Sequence, residues 1–213
     1  MEIKKGGKLV FVRHALSEWN SLGLWTGLTD VHLSKEGFEV AKKVGELLKD
    51  FRFDYVFKTR LVRTQETLSA ILDTNLVTSK DVPIEDSKEI IERDYGDYTG
   101  KNKWEVKKEV GEEEFQKIRR SWDCNISNGE SLKMVYERAL PFFLNKIMPL
   151  INDGKNVLVV AHGNSMRALS KYIENISDEG INDFEIGFDI ATIYDLDNNG
   201  HIISKEILKV QQN

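Results

Sequence analysis

Cysteine is almost absent: Cys124 is the only one in 213 residues, so an internal disulfide, a thiolate zinc site and a redox pair are all excluded. A chain without disulfides suits a reducing compartment, and the expected location is the cytoplasm. Long apolar runs are missing as well. No stretch of about 18 apolar residues could cross a bilayer, and Met1 to Gly7 carry no apolar h-region, so neither an anchor nor a leader is expected. Positive charge is not in excess: 30 Lys and Arg stand against 35 Asp and Glu, a net charge of -5, which disfavours nucleic acid and membrane surfaces as partners. Any anionic ligand then has to be held by a local cluster of basic residues. With only three prolines, and neither a repeat nor a low-complexity tract, the chain has few forced breaks and no long linker.

Apolar residues make up 40% of the chain, enough for one sizeable core, so residues 1–213 are expected to form a single domain. Strand-like and helix-like stretches alternate. Lys8 to Val12 reads as a strand, and Ser34 as the N-cap of a helix carrying Val40, Val44, Leu47 and Leu48 on one side. Asp54 to Phe57 reads as a second strand and Leu61 to Leu72 as a helix. Lys88 to Glu92 is expected to be extended, Asn102 to Trp122 to form two charged helical segments, and Ser131 to Ile151 one long helix. Asn156 to Ala161 returns to strand and Ser165 to Glu174 to helix. Ile190 to Leu196 and His201 to Ile207 form a hairpin around Asn199-Gly200. Ser21 to Leu33 and Cys124 to Glu130 are the irregular segments. This order predicts an α/β fold with a central, mostly parallel sheet and helices on both faces.

Two of the four histidines, His14 and His162, directly follow apolar runs that read as buried strands. A single histidine there is more often packing than chemistry. Two at matched positions point to one crevice, because ligands in open α/β sheets bind beyond the carboxyl ends of the strands. His32, in a polar connection, and His201, after a turn, have no such placement. Arg13 precedes His14, and Arg63 opens the helix after the second strand, so two guanidiniums share the same sheet edge. Forked donors that do not titrate suit a phosphate dianion. A helix opening at Gly163 and Asn164 adds backbone N–H groups and a positive dipole end. A neutral imidazole can take a phosphoryl group while a second, protonated one stabilises the charge in transfer. No metal is required, and no acidic trio or His-Glu-x-x-His pattern stands near either histidine. Glu92, in Glu92-Arg93-Asp94-Tyr95-Gly96, suits a general acid beside such a pocket, with Asp94 and Asp97 as rivals and a solvated acidic turn as the bland alternative.

Arg13-His14, Glu92 to Gly96 and Ala161-His162-Gly163-Asn164-Ser165, in this order and spacing, together resemble the histidine phosphatase superfamily. Val12 to Asn20 (VRHALSEWN), Trp25-Thr26-Gly27 leading to Leu33-Ser34, Gly100 to Lys103, Arg119 to Asp123 and His162 to Leu169 (HGNSMRAL) are similar to its cofactor-dependent phosphoglycerate mutase branch. The resemblance implies a three-layer sandwich with a mostly parallel sheet flanked by helices. It also implies that His14 is the phosphorylated nucleophile and Glu92 the general acid/base. Arg13, Arg63 and His162 would hold the transferring phosphoryl group, assisted by Asn20, Gly163 and Asn164. Thr26, Gly27, Arg93, Tyr95, Lys103, Arg119 and Arg120 would hold the rest of the ligand. The implied activity is interconversion of 2- and 3-phosphoglycerate in glycolysis and gluconeogenesis, primed by 2,3-bisphosphoglycerate without a metal, in a monomer or weak homo-oligomer. A histidine phosphatase acting on a small phosphoester is the alternative. A silent phosphate-binding module is argued against by the intact His14, Glu92 and His162. Read without the resemblance, Lys103 among Lys101, Glu105, Lys107, Lys108 and Glu109, and Arg119-Arg120 after Glu112-Glu113-Glu114, look like solvated helix faces.

Three features depart from that pattern. Ala15 stands where the family usually has glycine, which would crowd a phosphate if the local φ were positive, at a cost of about 1 kcal/mol. The segment between Asp123 and Glu130 is short. Gly187 to Ala191 lacks the usual Gly-Val-Pro, and Asp189 is expected to bring negative charge towards the anion site.

Overall fold

The structure, a computed structural model, describes residues 6–211. The leader expectation at Met1 to Gly7 rests on residues of which Met1 to Lys5 lie outside the described ones. Six strands form one sheet in the order β3-β2-β4-β1-β5-β6. They are β1 Leu9–Arg13, β2 Tyr55–Lys58, β3 Ile84–Asp86, β4 Val157–Ala161, β5 Ile190–Leu196 and β6 Ile202–Lys209. The first four run parallel, and β5 pairs antiparallel with both β1 and β6, so the expected mostly parallel sheet and the closing hairpin are both present.

Period-two alternation sorts the central strands between two cores. Leu9, Phe11, Val157, Val159 and Ala161 pack on one face with Phe143, Ile147 and Leu169. Val10, Val12, Leu158 and Val160 pack on the other with Val44, Leu48, Leu68 and Ile71. The helices that cover these faces are α2 Lys35–Leu47 and α3 Val62–Thr74 on the second face, and α6 Leu132–Phe142 and α8 Gly163–Ile173 on the first. Ser34 caps α2, its Oγ accepting the Gly37 N–H at 3.0 Å. Leu47, expected on the apolar side of that helix, is instead 37% exposed.

Other expectations are corrected. Lys88 to Glu92 is not extended; the edge strand β3 lies earlier, pairing Val56 with Ile84. The carbonyls of Glu89, Ile91 and Glu92 accept from Arg138 at 2.6, 3.0 and 3.1 Å, so a guanidinium replaces a strand ladder there. The expected long helix is α6, a π turn over Phe143–Ile147, and α7 Met148–Asn152. Pro141 lies near the end of α6 and cannot donate to the preceding turn, and the helix widens just after it. The last expected helix begins at Gly163 rather than Ser165, because His162 is its N-cap.

The short helix α1 Glu18–Ser21 starts the connection after β1, and the charged segment after Asn102 is α4 Lys103–Val110 followed by α5 Glu112–Arg120. Backbone bonds stitch the two regions: Trp25 N–H to Lys101 O at 3.0 Å, Gly100 N–H to Trp25 O at 2.8 Å and Lys103 N–H to Gly23 O at 2.9 Å. This seam sets the start of α4 beside the sheet edge. Among the described residues, no helix is long and apolar enough to cross a membrane.

Candidate active site

The register of β1 and β4 decides where the histidines go. Arg13 lies opposite Ala161, and the His14 N–H donates to Ala161 O at 2.9 Å, so His14 and His162 leave the sheet side by side. Their ring centroids are 5.1 Å apart. His14 Nδ1 sits 2.7 Å from Ala15 O. A carbonyl only accepts, so that nitrogen carries the proton and the Nε2 lone pair is free. Burial, with Arg63 and Arg13 nearby, holds the His14 imidazole well below its usual range, so it is neutral near pH 7. His162 Nε2 is fixed by Thr59 Oγ1 at 2.9 Å, at the end of β2. The expectation of one neutral and one protonated imidazole is not met: burial, Arg63 and His14 lower His162 as well. Arg63 and Arg13 supply fixed positive charge instead.

These residues border a cavity of about 310 Å³. From the sheet edge it is lined by Arg13, His14, Arg63, Gly163 and Asn164. Glu92 and Tyr95 line it from the segment after β3, and Asn20, Trp25, Thr26 and Gly27 from the connection after β1. Lys103, Arg119 and Arg120 line it from α4 and α5. His162 is fully buried under the floor rather than lining it. Arg93 is the outlier among the expected ligand-binding residues. It is fully buried, with Nε donating to Glu130 O at 2.5 Å and Nη1 to Ile118 O at 3.1 Å, and it does not line the cavity.

Each group at the sheet edge is set by a local bond. Arg63 Nη1 and Nη2 donate to Thr29 O at 2.8 Å and Gly27 O at 2.9 Å. Arg13 Nη1 donates to Ile186 O at 2.8 Å, and its guanidinium lies 3.8 Å from the centre of the Phe188 ring. A Cβ at position 163 would sit 3.1 Å from the Arg13 guanidinium carbon, so glycine there permits the close approach. Glu92 Oε1 accepts from Arg93 N at 2.8 Å, Asn164 N at 3.2 Å and Asn164 Nδ2 at 3.1 Å. Its rivals are placed otherwise: Asp94 Oδ1 caps a turn at Gly96 N, and Asp97 Oδ1 takes an exposed bond from Asn128. Arg13 Nε, Arg63 Nε, Thr26 Oγ1 and Trp25 Nε1 are buried without a protein partner. These donors suit an anion's oxygens.

Six lining side chains are cationic, namely Arg13, Arg63, Lys103, Arg119, Arg120 and Arg167, against the carboxylates Glu92 and Glu185. The local field thus opposes the net charge of the whole chain. Burial and the neighbouring Arg119 and Arg13 push the Lys103 ammonium down to about 8.

His14, Glu92 and His162 bring potential ligand atoms within 4.8 Å of one another, a single carboxylate beside the two imidazoles rather than an acidic trio. Arg13 and Arg63, whose charges act on both imidazoles, oppose a cation at that point.

Sequence reasoning missed Arg167, which is 4% exposed. Its Nη1 donates to Asn164 Oδ1 at 3.0 Å, which turns Asn164 Nδ2 towards Glu92 and towards Tyr95 Oη at 2.8 Å. A helical signal existed, since residues three and four apart share a face and Arg167 follows Asn164 and Gly163 at those spacings. Glu185 and Phe188 come from an irregular loop and gave none. Asp189 does not itself line the cavity: its carboxylate lies behind the lining residue Gly187 and 3.8 Å from Lys209 Nζ. Ala15 is absent from the positive-φ residues, so the feared strain does not arise.

The sequence profile of the histidine phosphatase superfamily (branch 1) matches residues 9–206. The chain belongs to the histidine phosphatase superfamily. Within this superfamily it is similar to the 2,3-bisphosphoglycerate-dependent phosphoglycerate mutase of Parvibaculum lavamentivorans, 39% identical over 94% of this chain and 95% of that protein. It is likewise similar to the phosphoglycerate mutase of Schizosaccharomyces pombe, 42% identical over 94% of this chain and 95% of that one. Among solved structures, the α-ribazole phosphatase from Shigella flexneri shares the histidine phosphatase fold with a TM-score of 0.75, at 22% identity over 96% of each chain.

Proposed function

We propose that this protein interconverts 2- and 3-phosphoglycerate through a phosphohistidine at His14. One observation carries the reading: the cavity that holds the neutral His14 has, besides Arg13 and Arg63, a separate basic wall of Lys103, Arg119 and Arg120. Hydrolysis of a monoester needs only the first set. A mutase must also retain a doubly charged intermediate while it turns round, which the second set would do. The names of the bacterial and yeast relatives support the same reading.

His14 Nε2 attacks phosphorus, the bond from phosphorus to the carbon-bound oxygen breaks, and Glu92 gives that oxygen its proton. In the reverse transfer Glu92 takes the proton from the acceptor hydroxyl as the phosphoryl group leaves His14. Arg13 and Arg63 hold the transferring group with Asn20, Gly163 and Asn164, while neutral His162 acts from beneath the floor, its ring 5.1 Å from that of His14. Thr26, Gly27 and Tyr95 contact the remainder, while Arg93 acts from behind, anchoring Glu130 and Ile118. 2,3-Bisphosphoglycerate supplies the first phosphoryl group when bound, and the unpartnered donors on Arg13, Arg63 and Thr26 fit its oxygens. The chain is read as one catalytic domain acting without a metal in the cytoplasm, as a monomer or weak homo-oligomer.

The test supplies 3-phosphoglycerate with a trace of 2,3-bisphosphoglycerate and follows 2-phosphoglycerate and free phosphate together. The expected result is rapid 2-phosphoglycerate with little phosphate. Release of phosphate from many phosphoesters with no 2-phosphoglycerate would replace the mutase by a phosphatase.

A further inference from the structure

Glu185 is a carboxylate in a cavity lined by six cations. The other carboxylate there, Glu92, is cradled by backbone and amide N–H groups. Glu185 instead pairs with the guanidinium of Arg120, a side chain only 20% exposed. The two residues are brought together by one buried group. Arg167 Nη2 holds the carbonyl of Arg120 at 2.8 Å, and its Nε holds the carbonyl of Phe184, the residue before Glu185, at 3.0 Å. Burial and the like charge of Arg119 both work against the Arg120 guanidinium, and an adjacent carboxylate offsets them.

We propose that Glu185 is a specificity-determining residue, an internal rival for the second anionic group of a two-ended ligand. A ligand with one anionic group engages Arg13 and Arg63 and leaves the Glu185–Arg120 pair intact. A ligand with two must take Arg120 from Glu185, exchanging one ion pair for another. Two-ended ligands therefore bind less tightly, and leave sooner, than Arg120 alone would dictate. The inference rests on the reading that a doubly phosphorylated species occupies this cavity. Its consequence for such a catalyst is an intermediate held by a wall that does not trap it.

Glu185→Gln keeps the shape and removes the charge. Calorimetry at low salt compares propane-1,3-bisphosphonate, which has two anionic groups and no transferable phosphoryl group, with methylphosphonate, which has one. Glu185→Gln is expected to tighten the bisphosphonate about threefold to fivefold, the range of a partly exposed ion pair, and to leave methylphosphonate unchanged. In an Arg120→Ala background the gain should vanish. No gain in Glu185→Gln, an equal gain for methylphosphonate, or a gain that survives Arg120→Ala would overturn the assignment. Neither probe turns over, so the outcome is separate from the mutase reading, which stands or falls on 2-phosphoglycerate formed by the unmodified protein.

Discussion

At the sheet edge the cavity is lined by groups already bound to the protein: Arg63 to two loop carbonyls, His14 to Ala15 O, and Glu92 to three N–H groups. On the helix side, Lys103 and Arg119 rest on the faces of Trp25 and Phe115, at 5.9 and 5.2 Å, and Arg120 pairs with Glu185. The first arrangement fixes atoms by hydrogen bonds; the second holds charge by ring and ion-pair contacts. Chemistry at phosphorus needs alignment, because a small misplacement of reacting groups costs orders of magnitude in rate. Holding an anion while it reorients needs attraction without one fixed geometry. The difference between the two sides therefore matches the two tasks of the proposed reaction.

The comparison is broken most severely by His14→Ala. Turnover should fall below detection, and labelled bisphosphoglycerate should no longer leave an acid-labile, base-stable adduct; labelling that persists would remove His14 from its role. Arg167→Met tests whether the sheet side depends on its support. It frees Asn164 and leaves buried carbonyls without their donor, so kcat should drop by about a hundredfold. The same variant should lose about 1–3 kcal/mol of stability in denaturant unfolding for each orphaned group. On the helix side, Arg119→Ala with Arg120→Ala removes two charge-assisted contacts of about 1.5–3 kcal/mol each. Mutase rate should fall at least about tenfold while phosphohistidine formation persists and free phosphate per turnover rises. Full mutase activity in that double variant would make the arginines a solvated helix face.

A subtler effect follows from Lys103. Its ammonium is lowered to about 8, so it is mostly charged near pH 7 and mostly neutral above about pH 9. Affinity for phosphoglycerate should weaken over that range, and Lys103→Arg should flatten the profile, as read by KM against pH. The smallest expected effect is that of a chelator. Arg13 and Arg63 oppose a cation among His14, Glu92 and His162, so EDTA should leave activity intact. Loss of activity restored by a divalent ion would show that three converging ligands outweigh the surrounding positive charge.

Much of this was legible in the chain itself. The unbroken apolar runs Leu9 to Val12 and Val157 to Ala161 mark buried strands because a central strand must be apolar on both faces, and the residues just after each run must then emerge at the sheet edge. That logic places His14 and His162 side by side at the sheet edge. It failed where partners are distant in sequence. Arg138 reaches back to Glu89, Ile91 and Glu92 and turns an expected strand into a bonded loop, and no local pattern reports a contact of that span. Arg93, flanked by plausible ligand-binding residues, proved to point into Ile118 and Glu130.

The sequence by itself determined the order of the strands and helices apart from the edge strand β3, the pair of histidines at strand ends, the basic residues able to meet a phosphate and the exclusion of an internal disulfide, because each follows from local periodicity or composition. Only the tertiary structure decided the charge state of the two imidazoles, the approach of Glu92 to both, the exclusion of Arg93 and Asp189 from the cavity, and the presence of Glu185 in it. Those properties depend on burial and on fields summed over groups from different elements, and neither exists until the chain is packed.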